Sequence, residues 1–203
     1  MRHLLALTLV VLAGCSIGPA PRDAVATYDF GPEQARPAGN PARIPGTLLV
    51  PNATAPAWLD STALVYRLGY QDASRHQTYA ATRWAAPPPQ LFTQRLVARL
   101  TADSEGGVVT AGDGVRADHA LRVEVLDFTQ VFDAADRSRA SIRVRATLVD
   151  LQKRSVVAQR TFSAEPPAAT ANAEGGARAL ASGADAVVGE IIAWAATSLR
   201  RAK

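Results

Sequence analysis

Cys15 is the only cysteine among the 203 residues of the chain, and its surroundings give its thiol a defined chemistry. A basic start at residues 1–3 precedes an apolar run at 4–12, and the small pair Ala13 and Gly14 lies directly before the thiol. This order is typical of an export signal, whereas a membrane-spanning helix needs about 20 apolar residues. We therefore predict that residues 1–14 are a signal peptide and that Cys15 becomes the N-terminus of the mature protein.

The residues from Leu12 to Cys15 resemble the lipobox of bacterial lipoproteins. This resemblance implies a diacylglycerol on the Cys15 thiol and an amide-linked acyl chain, and two or more acyl chains bind a bilayer almost permanently. A lone cysteine can also be a buried structural residue, but its position behind the apolar run favours lipidation. Ser16 stands where an Asp would signal retention in the inner membrane. The resemblance therefore favours the inner leaflet of an outer membrane, with the protein facing the periplasm.

Histidines and carboxylates are the other groups that could do chemistry. A catalytic nucleophile usually needs a histidine base, and only His76 and His119 remain after removal of the signal. Both are expected at the surface or at a sheet edge. Asp133 and Asp136 could form a carboxylate pair, but they fall in a predicted turn, where Asp bonds to its own backbone. No spacing fits a metal site, so we expect no enzymatic activity, no cofactor and no metal.

Size and charge predict one domain with a modest positive balance. Loss of residues 1–14 from the 203-residue chain leaves 189 residues, enough to bury a core without disulfides. The formal net charge of +4 falls to +3 with the loss of Arg2. Lys153 and Lys203 are the only lysines, so arginine carries almost all of the positive charge. No block of like charge occurs, and a nucleic-acid partner is not expected.

The first half of the mature chain predicts a tether, short strands and one helix. Residues 15–27 predict a flexible tether, after which the folded domain spans 28–203, with a Pro/Gly-rich loop at 31–46. Strands are predicted for four β-prone stretches, at 28–30, 47–50, 63–68 and 76–80. Pro87 opens a predicted helix. The apolar residues of this helix repeat with helical spacing at Phe92, Leu96 and Leu100.

The second half predicts a meander followed by a long helix. A brief strand is expected at 108–110. Apolar and polar residues then alternate in three stretches, at 121–125, 142–148 and 156–163, which predicts antiparallel strands joined by polar turns. A helix is expected from about 171 to 199. The expected fold is therefore one α+β domain, with two helices packed on one face of a mostly antiparallel sheet.

Trp58 and Trp84 are the tryptophans whose positions invite comparison. Trp84 lies beside a predicted helix start and is expected to wedge between helix and sheet. Trp58 lies at the tip of a turn between Pro56 and Asp60. A large aromatic residue at such a tip is either folded into the core or exposed as an anchor for a partner. The sequence favours neither alternative.

Three short motifs resemble the ABC-type transport auxiliary lipoprotein component family, the group that includes paraquat-inducible protein C. The motifs are Trp58, Leu59 and Asp60; Val65, Tyr66 and Arg67; and Arg83, Trp84 and Ala85 with Pro87 opening the helix. The resemblance implies structural roles for five of these residues, namely Tyr66, Arg67, Arg83, Trp84 and Pro87. It makes Trp58 and Leu59 the candidate contact with a partner.

The resemblance covers almost the whole mature chain and implies a non-enzymatic role. Members of this family work with inner-membrane ABC transporters that carry MCE substrate-binding subunits, and they help lipids or other apolar molecules to cross the periplasm. We expect a lipid-anchored accessory component whose partners are an MCE-domain protein and the ABC permease and ATPase, and a homo-oligomer is compatible with that role. The alternative is a lipid-binding carrier or an envelope assembly lipoprotein, in which helices and sheet would enclose an apolar groove.

Overall fold

The computed structural model describes residues 24–32, 44–102 and 104–202. Cys15, the predicted signal peptide and most of the predicted tether lie outside these described residues. In chain order the elements are β1 (Ala26–Tyr28), β2 (Leu48–Leu49), β3 (Ala63–Leu68), β4 (Gln77–Trp84), α1 (Pro88–Thr101), β5 (Val108–Val109), β6 (His119–Ala134), β7 (Arg137–Asp150), β8 (Ser155–Ala164) and α2 (Ala173–Ala202). Each predicted element has a counterpart, although the first strand lies two residues earlier than the expected 28–30.

β6 is the central strand of one eight-stranded sheet. β7 pairs antiparallel along one side of β6, from His119 opposite Asp150 to Ala134 opposite Arg137. The other side of β6 is shared, because β2 pairs parallel with its start and β3 pairs parallel with its end. β8 extends the sheet beyond β7. On the other side of β6, β4 pairs with β3, β1 pairs with β4, and β5 pairs with β2.

The prediction of a mostly antiparallel sheet is wrong, because the sheet is mixed. Four pairings are parallel: β1 with β4, β2 with β5, β2 with β6, and β3 with β6. Sequence patterns indicate hairpins, whose strands are antiparallel and joined by a short turn. Parallel partners lie far apart along the chain, and β3 meets β6 only after β4, α1 and β5 have intervened. One α+β domain with two helices is confirmed.

The meander of β6, β7 and β8 is confirmed, but β6 contains a bulge that the prediction did not include. Buried residues alternate along β6 up to Val125 and resume at Phe128, one residue out of phase. The register with β7 shifts between Val125 and Asp127, where the extra residue is absorbed. Without the bulge, Asp127 would point into the core and Phe128 away from it. The predicted strand ended at 125 because the alternation breaks there.

Both helices contact the sheet and each other. Pro88 and Pro89 occupy the first positions of α1, where a missing N–H costs nothing. The predicted stripe of α1 is buried, and α2 buries an apolar face that includes Leu180, Val187 and Ile191. α2 is the one helix of the described part of the chain that is long and apolar enough to cross a membrane, but most of it is buried. Its apolar residues are accounted for by the core.

A buried ion pair joins the two helices. Arg95 Nη1 of α1 lies 3.2 Å from Asp185 Oδ1 of α2, and both side chains are almost fully buried. Arg95 Nη2 also donates to the carbonyl oxygens of Phe30, at 2.9 Å, and of Gly31. Removing one partner of such a pair leaves a buried charge uncompensated, which costs about 3–5 kcal/mol. The pair therefore fastens the segment after β1 to both helices.

Candidate contact site around Trp58

Residues 51–62 link β2 to β3 and carry Trp58 in a turn, and Thr54 pairs with β6 between the two strands. The Thr54 N–H donates to the carbonyl oxygen of Val123 at 3.0 Å, and the Thr54 carbonyl accepts from the Val125 N–H at 2.8 Å. These two bonds make the segment a short extension of the sheet. The start of the turn is thereby fixed to the central strand.

The two residues of the predicted contact differ in exposure. Leu59 is only 1% exposed, and its N–H closes the turn by donating to the Pro56 carbonyl oxygen at 2.8 Å. The prediction that Leu59 contacts a partner does not fit this burial, because a side chain enclosed in the core of the protein cannot reach another protein. Trp58 is half-buried and keeps part of its ring at the surface. Of the predicted pair, only Trp58 remains a candidate contact.

Two side chains hold the Trp58 ring in place. The imidazole of His76, directly before β4, lies against it with ring centroids 4.1 Å apart. Arg67 Cζ of β3 lies 5.6 Å from the centroid of the Trp58 ring, within the range of a cation–π interaction. A ring held by two neighbours is already ordered before binding. A partner that contacts it would therefore lose little affinity to side-chain ordering.

Asp127 positions Arg67 beneath the Trp58 ring. Arg67 Nη2 lies 3.5 Å from Asp127 Oδ1. The same carboxylate accepts hydrogen bonds from Thr129 Oγ1 at 2.9 Å and from Ser141 Oγ at 2.8 Å. The bulge in β6 turns Asp127 to this side of the sheet. An irregularity of the central strand thus assembles the support of the Trp58 turn.

The pKa of His76 is lowered from its ordinary value of 6.5. Partial burial is the largest cause, and the positive charge of Arg67 acts in the same direction, whereas Asp127 opposes both. The imidazole is therefore neutral at pH 7 and stacks on Trp58 without a charge of its own. Protonation would place a second cation beside Arg67.

A second polar cluster lies on the core side of β6 and was not predicted. Gln130 is fully buried. Its Oε1 accepts from the Tyr79 hydroxyl at 2.8 Å, and its Nε2 donates to Ser138 Oγ at 2.8 Å and to the Asn172 carbonyl oxygen at 3.1 Å. Burial raises the pKa of Tyr79 to about 12, so its hydroxyl stays protonated and can donate.

Gly176 of α2 makes room for this cluster. A Cβ at this position would lie 2.1 Å from Gln130 Oε1, which no side chain can occupy without a shift. The available signal in the sequence was a glutamine among apolar residues, because a buried amide needs partners. The broken alternation at 126–127 concealed that Gln130 points inward.

The remaining motif residues lie around the sheet. The Tyr66 hydroxyl donates to Gln77 Oε1 at 3.0 Å. Trp84 is 1% exposed and packs edge-on against Phe30 with centroids 5.8 Å apart. Arg83 is exposed on β4, and Pro87 stands directly before α1.

The histidines and the carboxylate considered for chemistry each have different neighbours. His119 opens β6 opposite Asp150, whereas His76 stacks on Trp58. Asp133 pairs with Arg139 at 3.3 Å. Within residues 24–32, 44–102 and 104–202, no group of three or more His, Cys, Asp or Glu side chains could hold a metal ion. The arrangement around Trp58 is one of shape and charge, suited to contact with another molecule.

The protein is thus a single α+β domain with a fixed aromatic turn at its surface. A family model described as ABC-type transport auxiliary lipoprotein component matches residues 28–192, and the chain belongs to this family. Among curated protein sequences, none matches the chain.

Solved structures with a similar fold are distant in sequence. A Xanthomonas campestris protein of family DUF330 is similar with a TM-score of 0.78 at 21% identity, over 87% of this chain and 98% of that chain. An uncharacterized protein has a TM-score of 0.63 at 19% identity, over 89% and 99% of the two chains. A hypothetical protein from Chlamydia trachomatis has a TM-score of 0.52 at 12% identity, over 76% and 97%. At these identities the likeness shows the fold alone.

Proposed function

We propose that this protein is the lipid-anchored accessory component of an MCE-type ABC transport system, and that it helps to move lipids or other apolar molecules between the inner and outer membranes. Membership of the ABC-type transport auxiliary lipoprotein component family is the observation that carries the proposal. The role is non-enzymatic. Its partners are an MCE-domain protein and the ABC permease and ATPase of the same system.

In this proposal Cys15 is lipidated and holds the protein on the inner leaflet of the outer membrane, facing the periplasm. Ten residues separate Cys15 from Ala26 at the start of β1. Fully extended, they would span at most about 35 Å, so the domain works close to its membrane. Confinement raises its effective concentration near a partner that projects from the other membrane. A weak contact is then sufficient for docking.

The Trp58 turn supports a docking role. Its ring is half-buried, is held by His76 and Arg67, and stands on a segment bonded to β6. Residues that dominate the binding energy of protein interfaces are enriched in Trp, Tyr and Arg. An ordered Trp beside an Arg is therefore a suitable anchor for a protein partner.

The test is affinity purification of the full-length lipoprotein from its native envelope after crosslinking, with mass spectrometry of proteins and lipids. We expect the MCE-domain protein and the permease to be recovered with the wild type. Trp58→Ala should reduce their recovery several-fold, and Cys15→Ala should abolish retention in the outer-membrane fraction.

Trp194→Ala is the matched control for Trp58→Ala. Trp194 is also half-buried, but it lies on α2 against Phe162, with ring centroids 5.6 Å apart. Both variants lose a similar aromatic area, so a general loss of stability would affect them alike. Equal recovery of partners with both variants would remove Trp58 from the contact, and absence of any transporter subunit from the wild-type sample would contradict the transport role.

One observation favours the alternative of a lipid-binding carrier. A groove of about 610 Å³ lies between the segment after β1 and the first half of α2, and Tyr28, Phe30, Ala177 and Ala181 contribute to its lining. It lies at the end of the domain where the chain from Cys15 enters. Phospholipid bound to the purified protein without any transporter subunit would support this alternative.

A further inference from the structure

The side of β6 and β7 that faces away from the core carries a defined pattern of charge. Cross-strand partners share one face of a sheet, so Glu124 lies beside Arg145 and Asp127 lies beside Arg143. Arg122 stands two residues before Glu124 and therefore belongs to the same side. We call these five residues the arginine face.

Two arginines of the arginine face keep their charge available. Both acidic residues of the face are engaged by other arginines, Glu124 by Arg145 and Asp127 by Arg67. In the part of the chain that the structure describes, Arg122 and Arg143 form no ion pair, and both side chains are exposed. These two positions therefore offer exposed guanidinium groups that have no direct ionic partner among the described residues.

The arginine face is continuous with the Trp58 turn. Asp127 belongs to the face, and it holds Arg67, whose guanidinium lies under the Trp58 ring. The residues of β8 opposite Arg143 and Arg145 are Ser163 and Thr161, both exposed. The surface thus runs from an aromatic anchor across charged groups to exposed hydroxyls.

We propose that the Trp58 turn and the arginine face form one docking surface, which binds a protein partner through acidic side chains placed against Arg122 and Arg143. This inference rests on the proposed function and adds the chemistry of the partner's contact to it. The partner surface is acidic where it meets Arg122 and Arg143, and it offers a pocket or an apolar patch to Trp58.

The arrangement of charge favours a protein over an anionic membrane. Glu124 and Asp127 each pair with an arginine, so the arginines without an ion pair are confined to two positions instead of forming a broad basic surface. A folded partner can place carboxylates opposite Arg122 and Arg143 alone, since complementary patterns fix orientation and exclude wrong partners. Trp and Arg together are also typical of the centres of protein interfaces.

The experiment measures binding of the full-length lipidated protein, in nanodiscs of neutral lipid, to the purified MCE-domain protein of the same system. We expect the double variant Arg122→Glu/Arg143→Glu to raise Kd at least about tenfold at low salt. The difference should shrink as NaCl rises from about 50 to 500 mM, because salt screens exposed charges.

Arg116→Glu/Arg200→Glu is the control, since both residues are exposed and lie outside the arginine face. It makes the same change in net charge and should leave Kd within about twofold. Equal losses in both double variants would show a general charge effect and overturn the inference.

Two further outcomes separate the inference from the proposed function. If Trp58→Ala weakens binding while Arg122→Glu/Arg143→Glu does not, the docking surface excludes the arginine face and the proposed function stands. If the wild type does not bind the MCE-domain protein, both fail.

A membrane arm tests the other anionic surface. The same variants are compared for binding to vesicles of neutral lipid with and without phosphatidylglycerol. Loss of binding to the anionic vesicles in Arg122→Glu/Arg143→Glu, with unchanged binding to the MCE-domain protein, would assign the arginine face to the membrane and overturn the inference.

Discussion

Asp127 and Gln130 stand three residues apart on β6 and serve opposite sides of the sheet. Gln130 lies in the core, where its side chain forms hydrogen bonds with Tyr79, Ser138 and Asn172. Asp127 faces away from the core and holds Arg67 under the Trp58 ring. The side of the sheet on which a polar side chain lies therefore decides its role. A polar side chain in the core is structural, and one on the opposite side is available for contact.

The cluster around Gln130 and the cluster around Asp127 differ in which groups remain accessible to a partner. A buried network that is fully satisfied gives rigidity and has nothing to offer a partner. The cluster around Asp127 is only partly buried, and it leaves the Trp58 ring and neighbouring guanidinium groups at the surface. We expect changes in the Gln130 cluster to alter stability, and changes in the Asp127 cluster to alter binding.

Within the two clusters, the largest effect on stability is expected for Gly176→Ala. The added methyl would lie 2.1 Å from Gln130 Oε1, so the amide must move and lose hydrogen bonds. Overpacking and the lost bonds together should lower the free energy of unfolding by about 3 kcal/mol. Urea unfolding followed by circular dichroism measures the loss. Gly112→Ala, where a Cβ meets open space, should change little, and equal effects of the two would refute the tight fit.

Gln130→Leu should cost somewhat less, at about 2 kcal/mol. The substitution keeps the bulk of the side chain but leaves the Tyr79 hydroxyl without its acceptor and the Asn172 carbonyl oxygen without its donor. Each buried group left unpaired costs about 1–3 kcal/mol, part of which the added apolar burial offsets. Urea unfolding measures the change in stability, and the Kd for the MCE-domain protein measures any change in binding. A tenfold weaker partner affinity with unchanged stability would reverse the assignment of the two clusters.

Asp127→Asn should cost about 1 kcal/mol or less in stability, because the pair with Arg67 is partly exposed to solvent. Its effect on binding should be larger, since Arg67 loses the charge that holds it under Trp58. We expect a several-fold rise in the Kd for the MCE-domain protein and a shift in tryptophan emission. Thr129→Val, which removes one hydrogen bond to the same carboxylate, should have a weaker effect in the same direction.

The smallest effect is a pH dependence that arises at His76. Its folded-state pKa lies below the ordinary 6.5, so the unfolded state takes up more protons as the pH falls through about 6.5. Stability should therefore decline over that range and level off once the pH is below the folded-state pKa. Urea midpoints between about pH 8 and 5 measure the decline. His76→Gln should flatten it, and an unchanged profile in that variant would assign the titration to another group.

Local patterns predicted the elements well but not their partners. Alternation found the β6, β7 and β8 meander, and helical spacing found Phe92, Leu96 and Leu100. The parallel pairing of β3 with β6 was missed, since no local pattern records which distant strand fills a free edge. The end of β6 was missed because one bulge reversed the alternation there.

The candidate site was likewise predicted only in part, because local patterns located its turn but not the contacts that support it. The turn around Trp58 was recognised from Pro56 and Asp60, but whether Trp58 or Leu59 faced outward could not be read from two adjacent apolar residues. In the structure, the burial of Leu59 and the partial exposure of Trp58 distinguish the two residues. The contributions of His76, Arg67 and Asp127 required the pairings of β3 with β4 and with β6, and Arg67 and Asp127 lie 60 residues apart along the chain.

The sequence alone determined the α+β class of the fold and the position of most elements, because these depend on residues close together along the chain. Only the tertiary structure decided the mixed sheet, the side taken by Asp127 and Gln130, and the support of the Trp58 ring. These depend on which distant strands meet and on where one extra residue enters β6. The physical reason is that a side chain's neighbours in a sheet are set by register, and register is a property of the whole assembled domain.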